Sequence, residues 1–126
     1  MKKDIETKQD IELLVNTFYD RVKQNDVIGY IFNDLAAVNW EKHLPVMYRF
    51  WDNAIFYSGA YNGNPMHVHK HLDKLFPLSA DHFAEWNKLF VSTVNDLFEG
   101  DKAELAKQRA MSISTVMQIE LSRSKV

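Results

Sequence analysis

Hydrophobic residues recur at intervals of three and four along most of this chain, which is the spacing of one face of an α-helix. The first such segment follows Thr7 and Asp10, a pair that resembles a capping box, and it ends at Asn25 and Asp26. Its apolar positions are Ile11, Leu14, Val15, Phe18 and Val22, with Tyr19 beside them. We therefore predict a first helix of about four turns.

The second predicted helix runs from residue 40 to about residue 57. Pro45 lies past its first turn and lacks a backbone N–H, so we expect a distortion near His43. The positions divide into two neighbouring stripes: His43, Met47, Phe50 and Ala54 on one, and Leu44, Trp51 and Ile55 on the other. A histidine at the head of an apolar stripe is more often a hydrogen-bonded core residue than a ligand, so the stripe alone does not identify a site.

Two more helices are predicted in the last third of the chain. Ser79 is placed to cap one that continues to about Phe98 and stops at Gly100, and Asp101 or Lys102 opens the other. Their apolar faces are Phe83, Trp86, Phe90, Val94 and Leu97 on the first, and Ala103, Ala106, Ala110, Ile113, Met117 and Leu121 on the second. No segment alternates like a half-buried strand, so the pattern predicts an all-α fold of about five helices.

The remaining predicted helix is short and carries three of the five histidines. Asn64 is a good N-cap, and Pro65 suits the first helical position. At helical spacing His69 shares a face with Met66 and Leu72. The other two histidines, His67 and His71, lie four residues apart and share a different face. Of the three histidines, His69 is therefore the one that shares its helix face with apolar residues.

Composition limits the class of protein. The chain has 126 residues, 46% of them hydrophobic, which predicts one folded domain over residues 1–126. A net charge of −2 with no cluster of Lys and Arg argues against nucleic acid or an anionic membrane as partner. Cysteine is absent, which excludes thiolate chemistry. Since the N-terminus lacks an apolar signal core and no apolar run could span a bilayer, we expect a cytoplasmic protein.

Three kinds of function suit this pattern. One is a zinc or other transition-metal site on His67 and His71, whose spacing matches helical metal ligation. Another is a haem pocket with an axial histidine, apolar walls and polar groups from Tyr19, His43 and Trp86 on the opposite side. A third is a cofactor-free helical interaction module in which the aromatic residues, 13% of the chain, form only a core.

Five short motifs follow one another along the chain. They are Phe18-Tyr19, Ile31-Phe32-Asn33, Trp40-Glu41-Lys42-His43-Leu44 with Phe50-Trp51, Gly63-Asn64-Pro65-Met66 followed by His69, and His82-Phe83-x-x-Trp86 followed by Leu89-Phe90. In this order and spacing the chain resembles the group III truncated haemoglobins over nearly its whole length. The pattern Gly-Asn-Pro-Met-x-x-His is the most specific of the five, and Asn87 is a departure from the family's more frequent leucine.

The resemblance implies a shortened globin-like fold, of the two-over-two helical sandwich type, around a pocket for haem b. It makes His69 the proximal iron ligand, with His71 as a competing reading that the spacing from Pro65 disfavours. It places three residues on the distal side, Tyr19, His43 and Trp86, and gives the pocket walls Phe32, Met47, Phe50, Met66, Leu72 and Phe83.

The resemblance also implies a function. A haem iron with one protein ligand binds O₂, NO or CO, and hydrogen-bond donors beside the bound gas slow its release. We therefore expect redox chemistry on the ligand, such as nitric oxide dioxygenation or peroxide turnover, rather than bulk oxygen transport. Such chemistry requires a reductase partner.

Overall fold

The computed structural model describes residues 2–30, 40–57 and 79–124, with side chains up to residue 119. This part of the chain contains four α-helices: α1 (Lys8–Gln24), α2 (Trp40–Phe56), α3 (Ala80–Leu97) and α4 (Asp101–Ser124). No strand occurs among these residues, so the predicted all-α class is confirmed. The predicted histidine helix that starts at Pro65 lies outside the described residues.

Capping boxes begin α1 and α3 where the sequence predicted. The Asp10 N–H donates to Thr7 Oγ1 at 3.2 Å, and the Thr7 N–H donates to the Asp10 carboxylate at 3.0 Å. At α3, Ser79 is the N-cap, and the returning acceptor is Nδ1 of His82, 3.0 Å from the Ser79 N. Both starts are therefore set by local hydrogen bonds that a short stretch of sequence contains.

Helix α2 runs on through Pro45, which lies inside it and does not end it. The distortion expected near His43 stays a prediction. Within this helix, Trp51 and Ile55 are fully packed in the core, whereas Leu44, Met47 and Phe50 are only partly buried. Trp51 and Ile55 thus support the core, and the other three residues lie at its margin.

The four helices make four main pairwise contacts. Helix α1 packs against α2 and α3, and α4 packs against α3 and α2. The core between them contains Leu14, Val15, Phe18, Val22, Trp51, Ile55, Phe90 and Val94, together with the alanines Ala103, Ala106 and Ala110 of α4. Because alanine side chains are small, these positions allow α4 to approach its neighbours closely. No described helix is both long and apolar enough to cross a membrane.

The segment before α1 ties the beginning of the chain to the α3–α4 junction. The Asp4 carboxylate accepts hydrogen bonds from the N–H groups of Lys102 at 2.9 Å and Ala103 at 2.8 Å, the second and third residues of α4. Gly100, which precedes the helix, has φ +144°, and a Cβ there would lie 2.5 Å from Asp4 Cγ. Since Gly100 has no side chain to cap α4, Asp4 supplies the cap from a distant part of the sequence.

Candidate functional site

Three rings from α1 and α2 meet where these helices contact each other. The ring centroids of Tyr19 and His43 lie 5.4 Å apart at 80°, and those of Tyr19 and Trp40 lie 5.3 Å apart at 55°. Trp40 and His43 complete the group at 5.6 Å and 75°. We call these three residues the Tyr19 ring cluster. Tilted and edge-to-face contacts of this kind are favourable for aromatic side chains.

Two polar groups of this cluster are buried. Tyr19 is 6% exposed, and this burial raises the pKa of its hydroxyl well above the usual value, so the group is a neutral hydrogen-bond donor at physiological pH. The Nε2 atom of His43 is also closed off from solvent. The cluster therefore brings a buried phenol and a buried imidazole nitrogen together beside an indole ring.

Trp86 of α3 packs in the same core, and one ring separates it from the Tyr19 ring cluster. Its ring contacts Phe18 at 5.5 Å and 89°, and Phe18 contacts Tyr19 at 4.9 Å. Trp86 also stacks on Phe90 at 5.8 Å and 11°. Phe18 thus stands between Trp86 and Tyr19, and no ring contact among the described residues joins Trp86 directly to Tyr19 or His43.

The predicted wall residues fall into two groups. Met47 and Phe50 of α2 are partly buried and pack against the main core. Phe83 of α3 belongs to a second, smaller cluster with Met117 and Ile113 of α4. The predicted pocket residues Phe32, Met66, His69 and Leu72 lie outside the described residues, as do His67 and His71. Within ranges 2–30, 40–57 and 79–124, no three His, Asp or Glu residues are grouped as a metal site.

Two features of the site were not predicted. Trp40 was assigned to the start of its helix and to a motif but to no role in the site, although its position three residues before His43 puts both on one helical face. Asn87, which the sequence marked only as a departure from the family's more frequent leucine, links α3 to α4: its Nδ2 donates to Ser114 Oγ at 3.1 Å. The Oδ1 atom of Asn87 is buried and has no hydrogen-bond partner within the described part of the chain.

Comparison with known proteins gives a consistent result from sequence and from structure. The group 3 truncated haemoglobin Ctb of Campylobacter jejuni is 31% identical over 121 residues, which cover 94% of this chain and 93% of that protein. The crystal structure of a group III truncated haemoglobin from Campylobacter jejuni superimposes with a TM-score of 0.81 at 28% identity, covering 96% of this chain and 95% of that one. No protein-family model matches the chain.

Proposed function

Because this chain belongs to the group III truncated haemoglobins and has their globin fold, we propose that it binds haem b with His69 as the iron ligand and takes up O₂, NO or CO. Membership of a haemoglobin family supports haem and a diatomic ligand in general. The choice of His69 comes from the Gly-Asn-Pro-Met-x-x-His pattern in the sequence.

The observation that carries the proposal is the Tyr19 ring cluster. The buried phenol of Tyr19 and the buried Nε2 atom of His43 meet at the α1–α2 contact. A binding site for a small ligand typically combines a few such polar groups with apolar walls. Beside them, the stripe of α2 that contains Met47 and Phe50 is only partly buried. Apolar walls next to a few polar donors suit one face of a haem.

The haem, when bound, would supply an iron with a free position for a diatomic gas. With haem bound, the Tyr19 hydroxyl would donate a hydrogen bond to the gas, and the Trp86 indole N–H would be a second donor. His43 would either donate a further hydrogen bond or gate access. Met47, Phe50 and Phe83 would form apolar walls, and we assign Phe32, Met66 and Leu72 to the same pocket from the sequence resemblance.

Donors of this kind favour chemistry on a retained ligand. Each hydrogen bond stabilises the bound state by about 0.5–1.5 kcal/mol, and two or three together slow release substantially. Slow release is poorly suited to oxygen delivery. The proposed activity is therefore redox chemistry on the ligand, either nitric oxide dioxygenation or peroxide turnover, with electrons from a reductase.

The first test is the visible spectrum of the purified protein supplied with haem, reduced and exposed to CO. We expect a ferrous spectrum that shifts on adding CO and that is altered or lost in His69→Ala. His71→Ala is the matched control, because it removes a histidine from the same segment and should leave the spectrum unchanged. A colourless protein, or loss in the His71 variant alone, would overturn the assignment.

A second test addresses the distal donor. Tyr19→Phe keeps the ring contacts and removes only the hydroxyl, so O₂ dissociation followed by stopped flow should become about two- to tenfold faster, the equivalent of one hydrogen bond. Tyr57→Phe is the control, because Tyr57 is 68% exposed and belongs to another part of the surface. An unchanged rate in Tyr19→Phe would remove the hydroxyl from the mechanism.

A further inference from the structure

We propose that Trp40, held by the Lys23 ammonium, is a positioning residue that orients His43 and Tyr19 toward the ligand. The inference rests on the proposed function, since it assigns a role in that same site. It concerns Lys23, which no motif contains, and Trp40, which begins one motif but was given no role.

The contact of Lys23 with Trp40 carries the proposal. The Nζ atom of Lys23 lies over the indole ring of Trp40, 4.5 Å from its centroid, which is within the range of a cation–π interaction. Lys23 also forms an ion pair with Asp20, one turn earlier on α1, in which Nζ lies 3.8 Å from Oδ1. The contact between Lys23 and Trp40 therefore joins the last turn of α1 to the first residue of α2.

The other contacts of Trp40 explain why this matters for the site. The indole contacts both polar rings of the cluster, Tyr19 at 5.3 Å and His43 at 5.6 Å. It is partly buried, at the margin of the main core. An indole in this position contributes less to the core than Trp51 or Phe90, and its direct partners are the two groups that would face a bound gas.

The Lys23 contact restricts the position of the indole. Trp40 is the first residue of α2, where the backbone lacks the full set of helical hydrogen bonds and constrains the side chain less than at mid-helix. With Lys23 above the ring, the indole limits rotation of His43 and the tilt of Tyr19. Without the cation or without the indole, we expect the imidazole to adopt more than one orientation beside the ligand.

The test is the infrared spectrum of the CO-bound ferrous protein, because the frequency of the C–O stretch depends on the polar groups next to CO. We expect Lys23→Met and Trp40→Leu to split or broaden the main C–O band and to increase the O₂ dissociation rate about threefold. Lys23→Arg keeps a cation that can stack on the indole and should restore the parent band. Asp20→Asn is the matched control for charge at this turn and should leave the band unchanged.

The outcomes separate the two proposals. A parent protein that gives no CO band refutes the proposed function, and with it this inference. A parent with a CO band and a Trp40→Leu variant with the same band and the same dissociation rate refutes the positioning role alone. If Lys23→Arg behaves like Lys23→Met, the cation–π contact is not what holds the indole. Far-UV circular dichroism of each variant checks that the helices are retained.

Discussion

Replacing Asp4 tests whether a residue outside a helix can supply its cap. The carboxylate accepts the N–H groups of Lys102 and Ala103, the positions that an N-cap side chain normally serves. Asp4→Ala removes both acceptors and leaves these donors without a protein partner. Asp4→Asn keeps one acceptor oxygen but removes the negative charge at the positive end of the helix.

The expected cost follows from these contacts. Loss of an N-cap side chain costs about 0.5–2 kcal/mol, and loss of a charge beside the helix dipole about 0.3–1 kcal/mol. We therefore expect the free energy of unfolding to fall by about 2 kcal/mol in Asp4→Ala and about 1 kcal/mol in Asp4→Asn. With a urea m-value of about 2 kcal/mol per molar, the midpoint for Asp4→Ala moves down by about 1 M.

The assay is urea unfolding of the haem-loaded protein, followed by far-UV circular dichroism at fixed protein concentration. Asp101→Ala is the matched control, because Asp101 is an exposed carboxylate in the first turn of the same helix. We expect that variant to lose less than about 0.5 kcal/mol. Equal losses in the Asp4 and Asp101 variants would refute the capping argument, since charge alone would then explain both.

The cap should also depend on pH. Partial burial disfavours the ionised Asp4, but the backbone N–H groups of Lys102, Ala103 and Ile5 outweigh this and lower its pKa below the usual value. A lowered folded-state pKa means that the stabilisation is fully present above the unfolded pKa of about 3.9 and is lost as pH falls through the folded value. The difference between the parent and Asp4→Ala should therefore be constant from pH 7 to about 5 and shrink below about pH 4. A difference that grows in acid would contradict this sign.

Three other positions test the packing. Because burial raises the pKa of Tyr19, the phenolate titrations of the parent and Tyr19→Phe should coincide while the protein stays folded, with stability falling above about pH 10 as the unfolded chain ionises; an extra phenolate in the folded parent would contradict its burial. Phe90 is fully buried between Trp51 and Trp86, so Phe90→Ala should cost about 3–5 kcal/mol in urea unfolding, and a loss below about 1 kcal/mol would show that the stack is not as described. In Gly29→Ala the new Cβ would lie 2.9 Å from two backbone carbonyl oxygens of α1, so the melting temperature should fall, by the equivalent of about 1–3 kcal/mol; an unchanged melting temperature would contradict that close approach.

The helices could be predicted from sequence where their ends depend on neighbouring residues. The capping hydrogen bonds of α1 join Thr7 and Asp10, and those of α3 join Ser79 and His82. Because each pair lies within four residues of sequence, the predicted starts of both helices were correct. The predicted end of α3 at about Phe98 also agrees with the observed helix, which ends at Leu97 with Phe98 as its C-cap. The Asp4 cap could not be predicted, because its partners lie 98 and 99 positions further along the chain and no local pattern relates them.

The sequence likewise predicted only the part of the candidate site that depends on local spacing. Helical periodicity showed that Tyr19 and His43 border apolar stripes, and the resemblance assigned them to one side of a pocket. Periodicity gives the face of a helix but not the residue that the face meets. The contact of Trp40 with Lys23, and the position of Phe18 between Tyr19 and Trp86, depend on how α1, α2 and α3 cross, which follows from packing of the whole core.

The distance along the chain between Asp4 and α4 has a consequence for the order of folding. The first N–H groups of α4 gain their cap only when they meet Asp4, 98 and 99 positions earlier in the sequence, and closing so long a loop is entropically costly. The Asp4 contacts should therefore be absent from the folding transition state, with a φ-value near zero. Loss of the cap would then accelerate unfolding and leave the refolding rate almost unchanged. Asp4 thus governs how long the native state persists rather than how fast it forms.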